Sequence, residues 1–198
     1  MDEEPGKVML FPPRRSDPPV TLAPSVRPPA PILVERSPGV DLNGKVKAVF
    51  FIGRGRTGKT TLARWAYEGL VERGGTAIIA AADPTNRALV NYLDGVAQPP
   101  STDPLEVRDW LLVLLQHAIS EKLSVMVDLG GGDTSLIELL KVLPNLVTLM
   151  AEGGMEAVAI HVMGTDPHDL HPLAMSEEMG FQPRRSMRVA GSVTASMT

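Results

Sequence analysis

The sequence predicts an α/β protein built on a mostly parallel sheet with helices on both faces, preceded by a proline-rich tail. Three observations carry this. From Lys45 onward, short apolar runs alternate with helix-length segments, the pattern of a parallel sheet joined by crossover helices. The first apolar run, KAVFFI, stops at a glycine-rich basic loop that opens a helix. Ten of the eighteen prolines fall before Gly39, so no regular element persists there.

Each element has its own signal. Val46 to Ile52 is a run of Val, Phe and Ile bounded by Gly53, and reads as a buried strand. Lys59 to Arg73 reads as a helix with Leu62, Ala66 and Leu70 on one face. Thr76 to Ala82 is a second strand, and Asn86 to Tyr92 a short helix. Asp103-Pro104-Leu105-Glu106 has the form of a helix start: an N-cap acid, proline in the first turn, glutamate at the third helical position. That helix continues through Trp110, Leu111, Leu114, Leu115 and Ala118. Leu123 to Leu129 is a third strand. Ser135 and Glu138 have capping-box spacing and start a helical region that Gly153-Gly154 ends. Met155 to Met163 is a fourth strand, Asp169 to Met179 a helix, and Arg185 to Ala190 a fifth strand. Residues 1 to 45 form the tail, disordered or draped, with a PxxP-like pattern around Arg14 and Arg15 that also suits partner docking. Residues 46 to 198 form the folded domain.

Composition narrows the function. The 198 residues are 43% hydrophobic, enough for a real core, and the net charge of −4 argues against a protein built mainly to coat nucleic acid. With no cysteine, disulfides, thiolate zinc sites and cysteine nucleophiles are excluded, and a reducing compartment follows as the simple expectation. The acidic start MDEEPGKVML lacks the pattern of a secretory signal, and no apolar segment is long enough to span a bilayer. The expected location is the cytoplasm.

The loop carries the chemistry. Gly53-Arg54-Gly55-Arg56-Thr57-Gly58-Lys59-Thr60 fits G-x-x-x-x-G-K-[ST] at every fixed position. Glycines let the backbone wrap and turn its N–H groups inward toward phosphate oxygens. The helix beginning at Lys59 aims its positive end at the same place. Lys59 is a mobile charge for the β- and γ-phosphates, Thr60 a hydroxyl for Mg²⁺, and Thr61 follows at the edge of the loop. Two carboxylates complete the site. Asp128 ends an apolar strand, where it can hold Mg²⁺ through water. The following Leu129-Gly130-Gly131-Gly132-Asp133 suits a segment that senses a γ-phosphate. Asp83, in AAADPTN, sits at another strand end, either orienting an attacking water or capping a turn.

With its charge directly after the first glycine, the loop resembles the deviant Walker A motif of the ParA/MinD ATPases, G-K-G-G-x-G-K-[ST]. The resemblance extends to Asp83-Pro84, as the end of a D-x-D-P switch segment, and to Asp128 in the Walker B position. It covers about residues 46 to 190 and is nearest to plasmid-borne, StbB-like partition or stability ATPases. It implies a P-loop NTPase fold, ATP and Mg²⁺ as ligands, slow hydrolysis, and a nucleotide-dependent homodimer. It also implies a plasmid partner protein or non-specific DNA as the thing switched. Arg54 stands where the family has the lysine that reaches across the dimer. Its expected roles are a cross-dimer contact, a phosphate contact within its own chain, or a solvated charge. Three positions depart from the pattern: Arg54 itself, Arg56 for a glycine, and Ala81 for the first switch aspartate.

Two rival readings stand beside this one: an ATP-dependent ligase resembling dethiobiotin synthetase, which needs a small-molecule pocket beside the γ-phosphate, and a nucleotide-binding adaptor that does not hydrolyse. The absence of an Asn-Lys-x-Asp segment favours ATP over GTP. His161, His168 and His171, near Asp166 and Asp169, fit no strong metal spacing and read as a surface loop. Arg184, Arg185 and Arg188 read as a solvated end or as contacts to DNA phosphates. The methionines after Met126 read as packing residues.

Overall fold

The structure, a computed structural model, describes residues 44–83, 88–131 and 134–190. The tail lies outside the described residues except at its end, as do Pro84, Asn86 and Asp133.

Five strands form one sheet: β1 (Lys47–Ile52), β2 (Ala77–Ala81), β3 (Ser124–Asp128), β4 (Glu156–Met163) and β5 (Arg185–Ala190). Their order is β2-β3-β1-β4-β5, and every pairing is parallel. The central strand β1 is buried along its whole length, which is why its sequence is a continuous apolar run. Its side chains nonetheless alternate. Val49 and Phe51 join the core on one face of the sheet, and Ala48, Phe50 and Ile52 join the core on the other.

The helices are α1 (Lys59–Glu72), α2 (Pro104–Ser120), α3 (Ser135–Val142), α4 (Leu146–Glu152) and α5 (His171–Glu178). α1 packs Ala63, Leu62, Ala66 and Leu70 against Val49, Phe51, Ile79 and Met126. On the opposite face α2 buries Val107, Leu111, Leu115 and Ala118, while α3 buries Leu136, Leu139 and Leu140. Phe181, just after α5, meets Phe50 edge-on with ring centroids 5.3 Å apart. The unequal layering follows from connection handedness. The path from β1 to β2 runs one way along the sheet, and the later connections run the other way. Right-handed crossovers therefore place α1 alone on its face. The chain reverses at β1, so the loops after β1 and β3 leave toward opposite faces and open a crevice between the strand ends.

Local signals explain the helix starts that formed and those that did not. Asp103 caps α2, its Oδ1 accepting from the N–H of Leu105 at 2.9 Å and of Glu106 at 3.3 Å. The capping box at Ser135 is not made. Thr134 occupies the cap position, Ser135 is buried inside the first turn, and Glu138 pairs with Lys141 at 2.6 Å. The region up to Gly153 is two helices, because Pro144 forces Leu143 out of helical geometry (φ −132°, ψ 70°). The expected helix from Asp169 begins instead as a 3-10 turn, Pro167–Leu170, which passes into α5 at His171. Residues 88–92 are turns rather than helix. Met126, Met150 and Met155 are core residues, as expected. No helix among the described residues is long and apolar enough to cross a membrane.

Candidate nucleotide site

The glycine-rich loop occupies the crevice. Gly53 leaves β1 so close to β4 that an added Cβ would run into the carbonyl oxygen of Val162. Gly58 takes φ 92° at the start of α1, a conformation that glycine adopts freely. Arg56 takes φ 65°. This is where the motif that the loop resembles has glycine, and the arginine holds the left-handed backbone at a cost of roughly 1–2 kcal/mol. The loop is braced from inside. Thr57 Oγ1 and Lys59 Nζ each donate to the carbonyl of Arg54, both at 2.9 Å. Lys59 is buried, so its ammonium lies folded over the loop at the positive end of α1.

The carboxylates arrive from neighbouring strands. Asp128 ends β3 and pairs in register with Phe51 of β1 and Ala81 of β2. Thr60 Oγ1 donates to Asp128 Oδ2 at 2.7 Å. Burial pushes the Asp128 carboxyl above the usual carboxylate range; the Thr60 hydroxyl and the Lys59 charge oppose this, and the Asp83 charge adds to it. Asp83 lies just past β2. A Cβ on Gly130 would come within 2.8 Å of its Oδ2, so the two loops touch. Gly131 is closer still to the glycine-rich loop, where an added Cβ would meet the backbone N and Cα of Gly55. Lys59, Thr60, Asp83 and Asp128, spread over seventy residues of sequence, are thus brought to one crevice. Thr61 sits on the exposed side of α1, and Gly55 and Arg56 form the exposed rim.

The residues fit a magnesium ion. Asp128 Oδ1 is buried and has no hydrogen-bond partner among the described residues, while its other oxygen holds the Thr60 hydroxyl. An orphaned carboxylate oxygen beside a hydroxyl is the hard oxygen donor set that Mg²⁺ takes, with water and phosphate completing its shell.

Arg54 is engaged within its own chain. Its NH1 lies 2.8 Å from Asp166 Oδ2 and 3.3 Å from Asp169 Oδ1. The Asp166 hydrogen bond and charge hold the guanidinium above its ordinary value; the His168 N–H, and then Arg54, hold Asp166 below the usual carboxylate range. Asp166 and Asp169 cap each other's backbone around the 3-10 turn, and Asp169 Oδ2 also accepts from the Gly164 N–H at 2.8 Å. Sequence reasoning missed this clasp, although D-P-H-D is a capping-box pattern that marks both acids as turned inward. His161 is a further correction. It lies buried in β4 rather than in a surface loop, and burial lowers its pKa. No cluster of His, Cys, Asp or Glu suited to a metal ion occurs among the described residues. Arg184, Arg185 and Arg188 are exposed along and just before β5, with Arg185 paired to Glu156 at 2.9 Å.

A cavity of about 480 Å³ adjoins the loop on the face opposite α1, lined by Gly53, Arg54 and Gly131 at one end and by α3 and α5 along its sides.

No protein-family model and no curated protein matches the chain. Among solved structures it is similar to cell division protein FtsY from Thermotoga maritima, at 16% identity and a TM-score of 0.45, covering 69% of this chain and 50% of that one. It is also similar to the signal recognition particle receptor FtsY from Elizabethkingia anophelis, at 17% identity and a TM-score of 0.45, covering 74% of this chain and 50% of that one. A third is APS kinase CysC from Mycobacterium tuberculosis, solved with AMPPNP and APS, at 16% identity and a TM-score of 0.43, covering 76% of this chain and 91% of that one. The chain spans about half the length of the FtsY structures it matches.

Proposed function

We propose that the chain is a P-loop NTPase: a Mg²⁺-dependent switch that binds and slowly hydrolyses ATP, of the ParA/MinD type that serves plasmid partition or stability. The observation that carries the reading is the contact between Thr60 and Asp128. It joins the last residue of the G-x-x-x-x-G-K-T loop to the carboxylate at the end of the adjacent strand, at the sheet's switch point.

In this reading the loop amides from Gly53 to Thr61 and the start of α1 hold the phosphates. Lys59 swings from the Arg54 carbonyl to the β- and γ-phosphate oxygens, exchanging a neutral acceptor for charged ones. Thr60 and Asp128 hold the metal, which when bound offsets phosphate charge. Asp83, which lies against Gly130, would orient the attacking water. Arg54 is a phosphate or cross-dimer contact once released from Asp166 and Asp169. Dimerisation, and affinity for a plasmid partner protein or DNA, are the outputs that nucleotide would control in the cytoplasm.

A second reading, the ATP-dependent ligase, is supported by one observation: a cavity large enough for the second substrate that such an enzyme needs adjoins the loop at Gly53 and Gly131. Titration of ATP and GTP, with hydrolysis assays on wild type and Lys59→Ala, tests the proposal. Saturable ATP binding that Lys59→Ala abolishes is expected; no nucleotide binding by the wild type ends it.

A further inference from the structure

We propose that the cavity behind the phosphate loop is a binding site for a small monocarboxylate with an apolar body. Its volume of about 480 Å³ falls inside the ~300–1,000 Å³ typical of small-molecule sites. It shares only its rim with the phosphate cradle. Gly53 and Arg54 line it, but no residue from Gly55 to Thr61 does, and its walls come from the sheet face opposite α1.

The lining has two chemistries. Leu136 and Ile137 of α3 face Pro172 and Met175 of α5 across an apolar slot. Such walls exclude water and take hydrocarbon or ring carbon. At the loop end the character changes. Arg54 is there, His168 and His171 also line the cavity, and among the described residues no carboxylate does. Arg54 remains available to a ligand despite its clasp. Both carboxylate bonds use NH1, and among the described residues nothing engages its Nε or NH2. A guanidinium edge recognises a carboxylate through charge-assisted bonds that a neutral amide head does not match.

The location gives such a ligand leverage. Its head would lie between Gly53, at the end of β1, and Gly131, whose backbone rests on Gly55. A molecule there touches the loops after β1, β3 and β4 together. That leverage over nucleotide rests on the proposed function; binding itself does not, so the test omits nucleotide.

The full chain is titrated calorimetrically with octanoate and, as the neutral isostere, octanamide. The expected result is saturable octanoate binding, with octanamide at least tenfold weaker. Arg54→Ala, an exposed change, is expected to weaken octanoate at least tenfold, and Met175→Trp to abolish binding by filling the slot. The Arg54 variant keeps the test decisive if the tryptophan disturbs folding. No saturable octanoate signal overturns the proposal, as does equal affinity for the two probes or unchanged affinity in Arg54→Ala. A separate ATP titration distinguishes the two failures. Octanoate binding without ATP binding sinks only the nucleotide reading, and ATP binding without octanoate binding sinks only this one.

Discussion

Thr60 and Asp128 meet at 2.7 Å although one opens a helix on one side of the crevice and the other ends the neighbouring strand. The bond uses one carboxylate oxygen and leaves the other buried without a partner among the described residues, an arrangement that costs the fold stability.

That expense has a pH signature. The folded Asp128 carboxyl has a raised pKa, so the native state binds its proton more tightly than the unfolded chain. Its contribution to stability is greatest below the unfolded carboxylate pKa and is lost as pH rises through the raised value. Asp128→Asn should therefore raise the melting temperature at pH 7 in the absence of magnesium, by a few degrees, equivalent to about 1 kcal/mol. The same variant should lose the magnesium dependence of nucleotide binding. Thermal melts across pH 4–8 check the first outcome, and titrations with and without Mg²⁺ the second.

The clasp on Arg54 separates its two acids. Asp169 is buried and accepts the Gly164 N–H, so Asp169→Ala strands a backbone donor and should cost about 1–3 kcal/mol in urea unfolding. Asp166 is exposed, and its depressed pKa means that its stabilising contribution is present above the unfolded carboxylate value and fades as pH falls through the folded one. Asp166→Asn should lower stability slightly at pH 7 and leave it unchanged in acid, which flattens the acid limb of the stability profile. By freeing Arg54 it should also tighten ATP binding several-fold, which calorimetry measures.

Gly131→Ala tests the contact between loops. Its new methyl would overlap the backbone of Gly55, so the segment after β3 must lift from the phosphate loop. The expected outcome is at least a tenfold loss of ATP affinity with only a modest change in melting temperature. An unchanged affinity would show that the two loops do not act together.

Phe181 seals the core beneath α5 by its edge-on contact with Phe50, and both rings are fully buried. Phe181→Ala should cost about 3–5 kcal/mol in chemical denaturation, because the five-strand sheet leaves little freedom to collapse into the void.

Much of the fold was legible because its signals are local. KAVFFI is apolar throughout because β1 is central; D-P-L-E capped α2 because all its parts lie within one turn. The loop and Asp128 were legible because strand ends in a parallel sheet converge. What escaped depends on contacts far apart in sequence. Arg54 finds Asp166 and Asp169 more than a hundred residues away, and Gly131 is a glycine because Gly55 lies against it. His161 looked like part of an exposed histidine group because His168 and His171 follow it; its place in β4, opposite Ile52, buries it. Pro144 was a readable break that the capping pattern at Ser135 overshadowed.

The two flanks of the sheet are finished differently. Outside β2, Ala97 accepts from the N–H of Ala81 and donates to the carbonyl of Ile79, both at 2.9 Å, so a single bridge covers part of that border. Beyond β5 no described residue forms a ladder, and the outermost strand carries exposed Arg185 and Arg188, charges that discourage indiscriminate edge-to-edge sticking. A strand added beside β5 would lie three strands from β1 on the β4 side, where it can lengthen the sheet away from Asp83, Asp128 and the glycine-rich loop.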